Sequence, residues 1–598
     1  MLVAAQDPAA MDTERGFEHW WDDADEEVVD RQLSVQGTIP PWLRGRLLRN
    51  GPGRWRAPDG SRTYLHAFDG LAKLASFHID DGRVTFSTQF LRTQFYANTV
   101  STGRLPPSIT TGPVQPAWSR KEQVAASLTA TGFDNTPVNI HRMGGSGAWV
   151  AVTDAPPLVS FDPVTLQASG RLDLRQTPIT GRSRLLGGLL PSPGYELFST
   201  AHPQRHTATG ETLNYHLELR ALGGGLAHIA AAKAVQGDDG RMWLERRLVG
   251  SLPLSTIASD SYYPYVHSIA VSKHFVVLPL YPLQIPLGKI ANGQGFLRQL
   301  EWRPDQGTTL AVWDLRHALP LNSTSLGPPP VLFTAPAAWG YHTIGCFEES
   351  APDGTTTLTL DVNAYSSPDI TNGPHGYAYL PNMRDAQLRA KQELDGGFLR
   401  YTLPGLSPPP GAPPAAPKRA ARAQWLPMLD AAGRAWSFEL VRISPAAKPG
   451  RHRFAYGHTG FNQPQGAGPR VFGPHGALVK MDADAALDGA TAGHASRDVS
   501  TGAPAPSVVT WSDGRVFPSE PLFVPRPGGA AEDDGVLLVV GYDTARRESM
   551  LLVLEARGMT EMARAYTGGT RCPPSFHGQW IPDTDEGGGH DVGAKHDS

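Results

Sequence analysis

Four histidines stand in similar local settings, each near the end of a β-rich run: STAHP (His202), YVHSIAV (His267), WGYHTIG (His342) and SFHGQW (His577). Neutral imidazole is a good ligand for first-row transition metals, and four of them with coordination positions left open suit Fe(II), which can then bind dioxygen. The four are scattered along the chain, so no local motif joins them. Taken singly, each fits an ordinary core or surface histidine in a chain that has 20. A closed β-propeller would join them, because the innermost strands of different blades converge on one axis and each can present a side chain to a central ion. Imidazoles used in this way need their second ring nitrogen hydrogen-bonded to a carboxylate or carbonyl, which fixes tautomer and direction. Asp154 in AVTDAPP, Glu439 in WSFELVRI and Glu520 in FPSEPLFV are acids in strand-like runs that can serve. A solvent-facing strand residue competes as the reading of Glu439, and a loop acid after a turn as that of Glu520.

Other chemistries lack their parts. The chain has no GxSxG elbow, Walker loop, GxGxxG following a strand or HExxH, so hydrolase, nucleotide-hydrolase, dinucleotide and zinc-protease readings have no support.

The elements that must position the histidines read as all-β. Turn signals punctuate short β-rich runs from end to end, among them SFHIDDGRVTFSTQFL, KHFVVLPLYPL, TTTLTLDVNAY and GVLLVVGYDTARRESMLLVLE. The 64 glycines and 54 prolines are spread along the chain, which favours many strands joined by tight turns over long helices. Helical pattern is weak, best around Met383 to Gln392 and near Lys289, and is expected to cap the sheet body. Two segments read as loosely held: the Pro/Ala-rich insertion from Leu403 to Gln424 and the polar Gly-rich tail over 583–598. Residues 1–32 read as an N-terminal extension and 33–582 as a single domain.

The hydrophobic share of 40%, with 14 Trp, 16 Tyr and 21 Phe, is enough for a large packed core. A net charge of −4 without a long Lys/Arg run gives no footprint for nucleic acid. Two cysteines, Cys346 and Cys572, are too few for a disulfide framework, so an intracellular protein is expected. No apolar run approaches a membrane span, and the start lacks the features of a signal or transit peptide. The apolar, Pro-broken stretch Leu278 to Phe296 reads either as a buried strand and turn or as a membrane-facing lip.

In order along the chain, RNGPGRW (Arg49 to Trp55), YLHAFDGLAKL (Tyr64 to Leu74), the AHP at His202, VHSIAVSKHFVVLP at His267, FPSEPLFVPRPGGAAEDDGV (Phe517 to Val536) and FHGQW resemble the carotenoid cleavage dioxygenases and related retinoid isomerases. The resemblance runs from about Leu33 to Pro582. It implies a seven-bladed propeller under a helical and loop dome, with Fe(II) on the axis held by His202, His267, His342 and His577. It further implies that Asp154, Glu439 and Glu520 orient three of those histidines. Asp154 stands where many relatives carry glutamate, so its bond to His267 is expected to be longer, bridged by water or made from a shifted backbone. The GPG of RNGPGRW and Asp69 of HAFDGLA read as architectural.

By the same resemblance, the stretch after His274 overlaps a membrane-contacting lip, and the substrate is a carotenoid or apocarotenoid cleaved with dioxygen to carbonyl products. VHSIAVSKHFVVLP, LEWRPDQG and FVPRPGGAAEDDGV look most like a plant branch that converts an apocarotenal to carlactone. FDNTPVN and FLRTQFYANT look like the animal β-carotene oxygenases. Retinoid-ester isomerisation, stilbene cleavage and an inactive binding scaffold are the alternatives.

Overall fold

The computed structural model describes residues 16–129, 133–176, 194–220, 225–257, 262–286, 295–317, 327–372, 376, 378–389, 396–407, 418–459, 476–491, 506–572 and 574–583. The architecture is mostly β. Among these residues seven sheets hold four to six strands each, and two smaller sheets hold three and two. Nearly all pairings are antiparallel and more than half join strands consecutive in sequence, such as Val536↔Glu555 to Asp543↔Glu548 across the turn of GYDTARRES. Short apolar runs separated by Asp/Gly turns fold in this way because each strand finds its partner across a tight loop.

Strands from the early and late parts of the described chain are joined by the same ladder physics. Strand Gly45–Arg54 pairs antiparallel with the last strand, His577–Pro582, placing Asn50 opposite His577. Val35–Gly37 likewise pairs with Thr560–Tyr566. Gly51 is needed at this seam, since a Cβ there would lie 2.6 Å from the Pro574 carbonyl oxygen. Asp69 ties a loop, as expected: its carboxylate accepts the Thr111 and Gly112 amides at 2.6 and 2.8 Å. Burial raises its pKa to about 7 against those two bonds.

Of the N-terminal extension over 1–32, the described residues 16–32 pack against the sheet body. Phe17 and Trp21 are buried, Phe17 packs 4.0 Å from Phe517, and Val28–Leu33 pairs with Arg83–Phe90. Composition hid this, because EHWWDDADEE surrounds its aromatics with acids. The insertion from Leu403 to Gln424 is also narrower than its composition suggests. Leu403 and Leu406 are buried at the end of strand Gly397–Leu406, and strands resume at Lys418–Ala420 and Arg422–Leu426. Residues 408–417 and 584–598 lie outside the described residues.

The expected helix around Met383 is two short turns, Leu380–Arg384 and Ala386–Arg389, while Lys289 lies outside the described residues. In the candidate lip, Leu278, Leu280, Leu283, Ile285 and Phe296 are buried in the largest apolar cluster. The buried-strand reading therefore holds for 278–286, and those side chains are not free to meet a membrane. Residues 287–294 of that stretch lie outside the described residues. No helix among the described residues is long and apolar enough to cross a membrane.

If the N-terminal aromatics are part of the core, Trp21→Ala costs about 3–5 kcal/mol. A thermal or urea unfolding curve indistinguishable from wild type would contradict their placement.

Candidate metal centre

The four histidines meet. One ring nitrogen from each lies within 4.8 Å of the other three. His267, His342 and His577 are buried and His202 is partly so. Each arrives from the margin of a strand: His202 beyond Gly194–Ser199, His267 just before Ala270–Val271, His342 directly before Thr343–Ser350, and His577 at the start of the last strand.

A lattice of small polar side chains holds these margins in register. His202 bridges to Ser268 in the backbone. The Ser268 hydroxyl donates to the Tyr341 carbonyl at 2.7 Å and accepts the Thr343 amide at 3.1 Å. Asn139 donates to the Ala201 carbonyl at 2.8 Å, and Asn50 to the carbonyls of Thr136 and Asn139.

Carboxylates stand against three of the four rings. His267 Nδ1 lies 2.7 Å from Asp154 Oδ2, His342 Nδ1 2.6 Å from Glu439 Oε2, and His577 Nδ1 2.8 Å from Glu520 Oε1. Asp154 thus reaches His267 directly, and the expected longer or water-bridged contact is not what the geometry gives. Asp154 lies two residues beyond strand Trp149–Val152. Its other oxygen accepts the Ala201 amide at 2.8 Å, and the Tyr265 hydroxyl donates to Oδ2 at 2.7 Å.

A carboxylate at each Nδ1 assigns the ring proton there and leaves Nε2 with its lone pair. These lone pairs face one another. His202 Nε2 and His267 Nε2 are 3.2 Å apart, and His342 Nε2 is buried without a hydrogen-bond partner. Buried acceptors turned on one another cost free energy unless something positive lies between them. The donor set therefore fits a cation, and four neutral imidazoles fit a divalent transition metal.

The electrostatics agree. Burial pulls the His202 pKa well below its ordinary value, reinforced by His577, His267 and His342. Burial also lowers His577 to about 3, against the opposing pull of Glu520. Glu520 itself is held well below the carboxylate range. Burial would raise it, but Arg442, His577 and Arg49 outweigh that. Glu439 is lowered too, its burial outweighed by His342 and by hydrogen bonds from Tyr365 and the Leu440 amide.

Sequence reading missed four residues of this support. Arg49 Nη1 and Arg442 Nε each lie 2.7 Å from Glu520, on its two oxygens. Tyr265 and Tyr365 donate to Asp154 and Glu439, each at 2.7 Å. Arg49 carried a usable signal, since an arginine inside the apolar run GRLLRNGPG must find a buried anion. The tyrosines carried none.

An apolar cavity with about 630 Å³ of empty space opens beside the cluster. His267, His342 and His577 stand in its wall with Phe68, Val138, Ile370, Phe438, Leu440 and Phe576.

Residues 21–582 match the family described as retinal pigment epithelial membrane protein. The chain is 25% identical over 579 residues to β,β-carotene 15,15′-dioxygenase of Rattus norvegicus, covering 93% of this chain and 90% of that one. It is 26% identical over 589 residues to carotenoid isomerooxygenase of Galleria mellonella, covering 94% and 96%. A solved structure of a Synechocystis apocarotenoid oxygenase mutant superposes with a TM-score of 0.66 at 21% identity, covering 95% of this chain and 98% of that one, which shows a shared fold.

Because Asp154 already makes three short contacts, Asp154→Glu is expected to crowd the site instead of repairing it, at about 1–3 kcal/mol. A thermal midpoint equal to or above wild type would show that room for the extra methylene exists.

Proposed function

From the premise that this chain belongs to the retinal pigment epithelial membrane protein family of carotenoid oxygenases, we propose that it is a non-haem Fe(II) dioxygenase. On this reading it cleaves one double bond of a carotenoid or apocarotenoid to two carbonyl products, with dioxygen as co-substrate. The observation that carries the reading is the convergence of four imidazoles at the wall of an apolar cavity, three of them backed by carboxylates.

His202, His267, His342 and His577 are assigned as the iron ligands. Asp154, Glu439 and Glu520 hold the Nδ1 protons and fix the direction of three rings, a support worth ten- to a hundredfold in metal affinity elsewhere. Held by the four histidines, Fe(II) would supply activation of dioxygen. The chain's own work is to position and to exclude water. Phe68, Val138, Ile370 and Phe438 offer a polyene a dry surface beside the imidazoles, and the reacting bond is selected by how far the chain penetrates. No general acid or base is required, consistent with the absence of a triad.

We also infer that the seven larger sheets are the blades of one propeller spanning 33–582, with the segment from Phe17 packed onto it. The pairing of Val35–Gly37 with Thr560–Tyr566 and of Gly45–Arg54 with His577–Pro582 supports closure. Short helices and loops form the dome.

The test is product analysis by liquid chromatography and mass spectrometry, with iron-loaded protein in detergent given β-carotene or β-apo-10′-carotenal, with and without oxygen. Oxygen-dependent aldehydes are expected, and a carlactone-like product from the apocarotenal would place the chain in that branch. His577→Ala is expected to lose iron and turnover together. Turnover of a retinoid ester or a stilbene alone would replace the carotenoid assignment, and full activity in His577→Ala would refute the ligand set.

A further inference from the structure

The cavity beside the histidines does not stand alone. A second, with about 490 Å³ of empty space, adjoins it, and Leu440, His458 and Phe576 line both. Beyond them the second cavity is walled by Phe17, Trp20, Trp21 and Phe517, the N-terminal aromatics that composition had set apart from the domain. A polyene whose reacting bond lies by the imidazoles therefore has an aromatic compartment for one arm, reached past three residues.

Two of those three are apolar. The third, His458, lies in strand Phe454–Thr459 directly opposite Glu439. Its ring stands in the wall of both cavities, where either ring nitrogen can meet a ligand. Burial lowers its pKa to about 4, against Glu439 and Glu520, which pull it up, and with His342, which pushes it down. The ring is neutral at physiological pH and offers one donor and one acceptor.

Its neighbour Leu440 is held at φ 50°, a left-handed conformation uncommon for leucine. In that conformation the Leu440 amide donates to Glu439 Oε2 at 2.8 Å, and its side chain stands at the boundary of both cavities. Backbone strain of this kind persists where surrounding structure fixes it and concentrates at functional sites.

A polar ring on a largely apolar route has a consequence for selectivity. A hydrocarbon arm passing His458 strips water from it and returns no hydrogen bond, whereas an arm carrying oxygen restores the bond that was lost. We propose that His458 reads an oxygen function, hydroxyl or carbonyl, on the arm that enters the aromatic compartment. The enzyme then prefers an oxygenated polyene over the hydrocarbon. This rests on the polyene-cleavage reading of the site.

The test is binding of β-carotene, zeaxanthin and β-apo-8′-carotenal to the full-length iron-loaded protein in detergent, followed by quenching of tryptophan fluorescence. Wild type is expected to prefer at least one oxygenated ligand by roughly tenfold, the scale of one hydrogen bond. In His458→Leu the ratio of affinities is expected to fall towards one, and in His458→Gln, which keeps a donor and an acceptor, to be retained. Because the ratio is taken within each variant, a general loss of folding does not imitate the result. No preference in wild type, or an equal one in His458→Leu, overturns the assignment. Measuring cleavage of the same ligands separates the two readings: a His458-dependent preference without cleavage rejects the oxygenase and keeps the recognition, and cleavage without preference does the reverse.

Discussion

The structure depends on the hydrogen bond between a carboxylate and the Nδ1 proton of a buried histidine, made three times. Each bond chooses the tautomer that leaves Nε2 unprotonated and points it inward. Without that choice, any of these rings could present an N–H to the centre, and the cluster would be an ordinary network of buried histidines. With it, lone pairs gather in one small space and create a demand for positive charge. The all-β architecture meets the remaining requirement, since it delivers the margins of strands far apart in sequence to one place.

Charge balance explains why the three carboxylates are supported differently. Asp154 and Glu439 each accept a neutral tyrosine hydroxyl and a backbone amide. Glu520 accepts two guanidinium groups in place of the tyrosine, together with the Gly578 amide, and Arg49 is itself anchored to the Ser575 hydroxyl and carbonyl. Three carboxylates against two arginines leave one net negative charge around the four rings. A divalent cation therefore suits this site better than an empty one. The strand that pairs with His577–Pro582 also carries Arg49, so the same segment pairs with the His577 strand and supports Glu520, the partner of His577.

Much of this was legible in the sequence, and the reasons differ by residue. The histidines were legible because ordered motifs surround them. Asp154 was legible as a position but not as a geometry, because side-chain length alone suggested a gap that the direct contact with His267 excludes. Arg49 was overlooked in favour of its neighbouring glycines, although a charge inside an apolar strand asks for a buried partner. Phe17, Trp20 and Trp21 were obscured because a run of acids dominates their local composition, and only long-range packing against Phe517 and Tyr542 gives them a place. The stretch from Leu278 was ambiguous in principle, since an apolar strand reads alike whether its face meets lipid or protein.

X-ray absorption at the iron edge, together with metal stoichiometry on the same purified sample, tests the central claim most directly. The account expects one iron per chain with a first shell containing four imidazole nitrogens. Absence of stoichiometric iron after loading, or a first shell in which sulfur or protein carboxylate replaces imidazole, would contradict it.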